Sequence, residues 1–188
     1  MDIFFLPLLA AALAEWGDKT QILAMLLAAR FARPIPVFIG VGAAIIVHMS
    51  LAAFGGSLLT AMITPDAIQL FLGLGFLFAG VAAFLPFSDP DADGYWNLGA
   101  VLTSFFAFLT VEFGDKTQFI TAGFGGTSPS WHFTAAGASL GVMIGIAPAI
   151  LLGTALRETL PLTLIRRTIG ALFLFISSII AINVFALI

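Results

Sequence analysis

A charged heptad occurs twice in a chain that is otherwise almost wholly apolar. Glu15-Trp16-Gly17-Asp18-Lys19-Thr20-Gln21 returns 97 positions later as Glu112-Phe113-Gly114-Asp115-Lys116-Thr117-Gln118. Each copy sits inside an apolar run long enough to cross a bilayer, and ionisable groups at that depth are functional candidates by default. At about 2.5–3.5 kcal/mol per central charge, the six charges would cost roughly 15–20 kcal/mol if left unpaired. A fold that keeps them must supply partners or a ligand.

Composition fixes the solvent. Of the 188 residues, 61% are hydrophobic and 9% charged, and mean hydropathy is +1.14, values that belong to an integral membrane protein. The chain has no Cys, so disulfides, thiolate metal sites and Cys nucleophiles are excluded. A net charge of -3 gives no footing for nucleic acid, and the bilayer is the expected surrounding. The start, Met1-Asp2-Ile3 and a following apolar run, lacks the basic segment of a signal peptide and reads as a first helix.

Six apolar segments are expected to span, at 3–29, 35–62, 67–87, 98–124, 131–156 and 164–186. Pro, Gly and Asp mark the breaks between them. The 97-residue offset extends beyond the heptads: Gly40 meets Gly137, Gly56 meets Gly153, and Phe76-Leu77-Phe78 meets Phe173-Leu174-Phe175. A fixed register through three helices is a duplicated unit. The expected fold is therefore all-α, six transmembrane helices in two three-helix repeats, 1–87 and 98–188, joined by an acidic linker at 88–97 with Asp89, Asp91 and Asp93. An odd number of crossings turns the second repeat upside down, giving an inverted-topology pair. Tracing alternate sides puts Arg30, Arg33, Arg157, Arg166 and Arg167 on one face, which the positive-inside rule makes cytoplasmic. Both termini then lie outside. Gly40, Gly42, Gly55 and Gly56, and the ladder Gly137, Gly141, Gly145, read as helix-packing positions rather than ligand sites.

On a continuous helix Glu15 and Asp18 would leave one face and reach one cation, and Glu112 and Asp115 would do the same. The pseudo-twofold axis of an inverted repeat brings these four carboxylates toward each other at mid-membrane. Such hard oxygens suit Ca²⁺, Mn²⁺ or Mg²⁺, with Thr20, Thr117, Gln21 and Gln118 as supporting neutral oxygens. Gly17 and Gly114 would permit local unwinding. Lys19 and Lys116, four residues after Glu15 and Glu112, have the spacing of a helical ion pair. Four carboxylates and two ammoniums sum to -2, which one divalent cation or two protons would neutralise. Salt bridges stapling the halves together are the alternative use of the six charges. His48 is a candidate for a helix-to-helix hydrogen bond or a proton relay. His132, near an outer interface, and the aspartates of the linker read as solvated surface.

The doubled Glu-x-Gly-Asp-Lys/Arg-Thr/Ser motif, once per half of a six-helix chain, resembles Uncharacterised Protein Family 0016, which includes Golgi calcium/manganese transporters and small bacterial manganese exporters. The resemblance covers nearly the whole chain. It implies exchange of Mn²⁺, or next Ca²⁺, for protons, with metal-binding roles for Glu15, Asp18, Glu112 and Asp115. It also implies an inner (plasma) membrane location and export of metal from the cytoplasm, with no enzymatic activity and no resident cofactor. A cation channel without proton coupling is the rival reading; an intramembrane hydrolase would need a distinct nucleophile or metal-water pair that the near-identical copies do not provide.

Overall fold

The computed structural model describes residues 1–92 and 97–185; Asp93 of the expected linker and Ala186 at the expected end of the last span lie outside them. The described residues are helical, with no strand among them. In order the helices are α1 (Asp2–Ala14), α2 (Lys19–Phe31), α3 (Pro34–Leu59), α4 (Pro65–Ala82), α5 (Ala100–Val111), α6 (Lys116–Thr127), α7 (Trp131–Leu152), α8 (Thr154–Thr159) and α9 (Leu162–Val184). Four of them, α3, α4, α7 and α9, are long and apolar enough to cross a membrane, while α1 and α5 are shorter apolar helices. The expected first and fourth spans are therefore each broken in two, α1 from α2 and α5 from α6, and both breaks fall on the charged heptads. A third expected span also stops early. At Gly153 the backbone turns to φ 56°, ending α7 and starting the short α8.

Glycines set which helices touch, because lipid supplies no hydrophobic drive and close backbone approach has to substitute for it. A Cβ on Gly137 would strike the Phe4 carbonyl, one on Gly141 the Leu8 carbonyl, and one on Gly145 the Ala12 carbonyl and the Glu15 side chain. So α7 runs parallel to α1, and it continues beside α2, where Met25 packs with Ala149 and Leu156. The matching contacts recur in the other half. Gly40 meets Val101 of α5, and Gly56 meets Ala122 of α6, so α3 runs parallel to α5 and then α6. Meanwhile α4 and α9 are antiparallel, with Gly73 against Ile180 and Gly170 against Ala83, and Ser177 Oγ donates to the Gly73 carbonyl at 2.8 Å.

Two apolar clusters follow from this arrangement. One joins α2, α3, α5 and α7 around Leu23, Leu27, Val41, Ile45, Phe108 and Ile146. The other leans the α4–α9 pair on α1 and α6 through Phe76, Ala79, Ala10, Ala14, Ile120 and Phe173. Large apolar side chains such as Leu51, Leu74, Leu151 and Phe175 point outward, as lipid-facing surface must. At one end Arg30, Arg157 and Arg166 all reach the segment after α4: Arg30 donates to the Ala92 carbonyl, Arg157 to Asp89 at 2.8 Å, and Arg166 to the Leu85 carbonyl at 2.9 Å. At the other end Asp2, Gln69, Ser128 and Ile180 line a common cavity.

Candidate metal centre

Each heptad stops one helix and starts another by the same local path. Glu15 closes α1 with helical dihedrals, Gly17 turns to φ 73°, and Asp18 is extended at the head of α2. Glu112, Gly114 at φ 73° and Asp115 repeat that path between α5 and α6. A left-handed turn at mid-span is open to glycine at no steric cost and to most other residues at about 1–2 kcal/mol. The turn is braced from within the heptad. Gln21 Oε1 accepts from Gly17 N–H and Gln118 Oε1 accepts from Gly114 N–H, both at 3.0 Å. The oxygens expected as neutral donors thus hold the unwound turn in place.

The breaks bring the two halves together. Glu15, Glu112 and Asp115 each place a carboxylate oxygen within 4.8 Å of the other two, and both glutamates are buried to 1% exposure or less. Their surroundings differ. Glu15 accepts from both threonine hydroxyls, Thr20 Oγ1 at 2.7 Å and Thr117 Oγ1 at 2.8 Å. Both Glu112 oxygens are buried with no hydrogen-bond partner. A buried carboxylate with nothing to donate to it needs a proton or a cation, and three converging carboxylates are the donor set of a hard divalent ion.

Asp18 stands beside this group. Lys116 Nζ holds it at 2.5 Å and lies 3.2 Å from Asp115, with the three side chains no more than 13% exposed. Lys19, 39% exposed, is 3.6 Å from Asp115. The ion pairs expected within each heptad, Lys19 to Glu15 and Lys116 to Glu112, are therefore replaced by pairs to aspartates, two of which cross between the halves. The reason is geometric: four-residue spacing places side chains together only on a continuous helix, and here the turn at glycine intervenes. The crossing Thr117–Glu15 bond has no sequence signal at all. His48 lies against the second break, where its Nε2 is 3.1 Å from the Leu109 carbonyl and its Nδ1 meets Gln118 Nε2. The corresponding amide in the first half, Gln21 Nε2, donates to the Gly145 carbonyl at 2.8 Å.

Comparison with known proteins bears on the same residues. The profile of the divalent cation/proton antiporter GDT1 family matches residues 3–91 and 100–186, two stretches that start 97 positions apart and each contain one heptad. The chain belongs to this family. It is a multi-pass membrane transporter of divalent cations and not an enzyme. A curated relative from Vibrio cholerae serotype O1, described as a "Putative manganese exporter", is 32% identical over 175 residues, which is 93% of this chain and 88% of the relative. No solved structure matches the chain.

Proposed function

We propose that this chain exports a divalent cation from the cytoplasm in exchange for protons, with Mn²⁺ the first candidate and Ca²⁺ the second. The observation that carries the reading is Glu112. It is buried, unpartnered and within 4.8 Å of Glu15 and Asp115, so its charge is balanced only when a cation or a proton occupies the site. Counting Asp18 and the two lysines, the cluster carries a formal -2, matched by one M²⁺ or two H⁺. A group of carboxylates with two interchangeable occupants couples their movements, since each must leave before the other binds. Glu15, Glu112 and Asp115 bind the ion, and Asp18 joins them when Lys116 releases it.

The broken helix pairs α1–α2 and α5–α6 each serve as one crossing, giving six crossings in two inverted repeats. Support comes from the helix directions: α7 parallel to α1 and α2, α3 parallel to α5 and α6, α4 antiparallel to α9. The end where Arg30, Arg157 and Arg166 meet the segment after α4 is then cytoplasmic, in a plasma (inner) membrane with both termini outside. A cavity of about 770 Å³ lies at that end, lined by Ile22, Phe87, Arg157, Leu162 and Arg166 and reaching Gly17 at the first break. The α4–α9 pair is packed on α1 and α6, and the head of α9, at Leu162 and Arg166, lies against Gly17. Alternation requires the α4–α9 pair to move against the other helices.

The test is equilibrium metal binding to detergent-purified protein. Mn²⁺ binding is expected, weakening as pH falls, and Glu112→Gln is expected to remove most of it. Undiminished binding in Glu112→Gln would overturn the assignment of the site.

A further inference from the structure

The two halves fasten their breaks to the neighbouring long helix by different means. In the first half the fastening is backbone: Gln21 Nε2 donates to the Gly145 carbonyl of α7, and α7 lies so close that a Cβ at Gly145 would collide with the Ala12 carbonyl and Glu15. The position on α3 that matches Gly145 under the 97-residue offset is His48. Here a ring fills the gap. His48 Nε2 faces the Leu109 carbonyl at 3.1 Å, and a carbonyl can only accept, so Nε2 carries the proton and donates. Nδ1 is then a lone-pair acceptor facing Gln118 Nε2. The orientation of the Gln118 amide is fixed independently, because its oxygen accepts from Gly114 N–H. His48 therefore grips both sides of the second break. Leu109 belongs to the last turn of α5, Gln118 to the first turn of α6, and Glu112 lies between them.

We infer that His48 is a positioning residue for the transported cation: as an acceptor at Nδ1 and a donor at Nε2 it replaces the Gly145 carbonyl of the other half, setting the Gly114 turn and so the place of Glu112. It is neither a metal ligand nor a proton carrier. On α3 the group that holds the second break is this side chain, while on α7 the group that holds the first is a main-chain carbonyl. The inference rests on the exchanger reading only for what Glu112 binds; the hydrogen-bond chain stands apart from it.

Two substitutions separate positioning from proton carriage. His48→Asn keeps an acceptor near the place of Nδ1 without a group that titrates, and His48→Phe keeps a ring without an acceptor. His48→Phe and Gln118→Ala are each expected to weaken Mn²⁺ binding about tenfold or more, as loss of a partner behind a ligand does, with the double variant no worse than either single one. His48→Asn is expected to restore affinity to within a few-fold of the parent and to leave the pH profile of exchange unmoved. Loss of proton-driven exchange in His48→Asn with metal binding intact would overturn the inference, as would unchanged binding in both His48→Phe and Gln118→Ala. A readout that needs no transport accompanies these. Nitrogen-15 spectra of histidine-labelled protein should show His48 as the neutral Nε2–H tautomer, with its Nδ1 resonance shifted by Gln118→Ala. A protonated ring, or no shift, would overturn the inference even if exchange is confirmed, and the expected spectra would uphold it even if exchange is not found.

Discussion

At the residue scale the two lysines carry the same sequence context and unequal work. Lys116 is almost wholly enclosed between Asp18 and Asp115, whereas Lys19 is 39% exposed and 3.6 Å from its carboxylate. Removing one partner of a buried pair leaves uncompensated charge and costs about 3–5 kcal/mol, while an exposed pair contributes about 0–1 kcal/mol. Unfolding in detergent should therefore show Lys116→Ala strongly destabilised and Lys19→Ala nearly neutral; equal losses would contradict the asymmetry. Lys116→Ala also frees Asp18 to join the other carboxylates. Bound Mn²⁺ should then be held more tightly and released more slowly, so a metal-saturated sample should recover part of the lost stability. Weaker Mn²⁺ binding in that variant would show that Lys116 instead shapes the site. The residue types of this cluster are legible in the sequence, because a charge inside an apolar run is too costly to persist without a use. The partners are not, because a crossing pair such as Thr117 to Glu15 is decided by how two distant segments meet.

At the scale of elements, the breaks at Gly17 and Gly114 are the feature that helical periodicity could not give. An apolar run of 27 residues reads as one span whether or not it unwinds at its centre, and only the glycine within the heptad hints at the turn. Both glycines sit at φ 73°, but their neighbours differ. A Cβ on Gly17 would lie 2.5 Å from the Leu162 carbonyl at the head of α9, and one on Gly114 would meet nothing within 4 Å. Gly114→Ala should then cost only the left-handed penalty of about 1–2 kcal/mol, and Gly17→Ala should cost that plus displacement of α9. Thermal unfolding of the two variants checks this, and a milder Gly17→Ala would contradict the contact. The glycine ladder at Gly137, Gly141 and Gly145 is legible as packing, since small residues four apart have one common use in lipid; that α1 is its partner needs the structure.

At the scale of the whole molecule the repeat offset is the most informative sequence signal, and the family profile falls on the same two stretches. The conformation of each half is invisible to it, because two copies of one sequence pattern carry no sign of which state each adopts. With no native Cys, single cysteines can report both orientation and access. An impermeant thiol reagent should reach Ser128→Cys from outside and Thr163→Cys, which lines the large cavity, from the cytoplasmic side; the reverse pattern would sink the topology. One site that binds metal and protons by turns must couple their fluxes, and a single flux measurement tests this. Proteoliposomes with more Mn²⁺ outside than inside are given a pH step, acid outside, and metal efflux is followed together with proton uptake. An inward proton gradient should drive Mn²⁺ out against its own gradient, with protons entering as metal leaves, and Glu112→Gln should abolish both movements. Mn²⁺ flux that runs only down its own gradient and ignores the pH step would contradict exchange and leave a channel in its place.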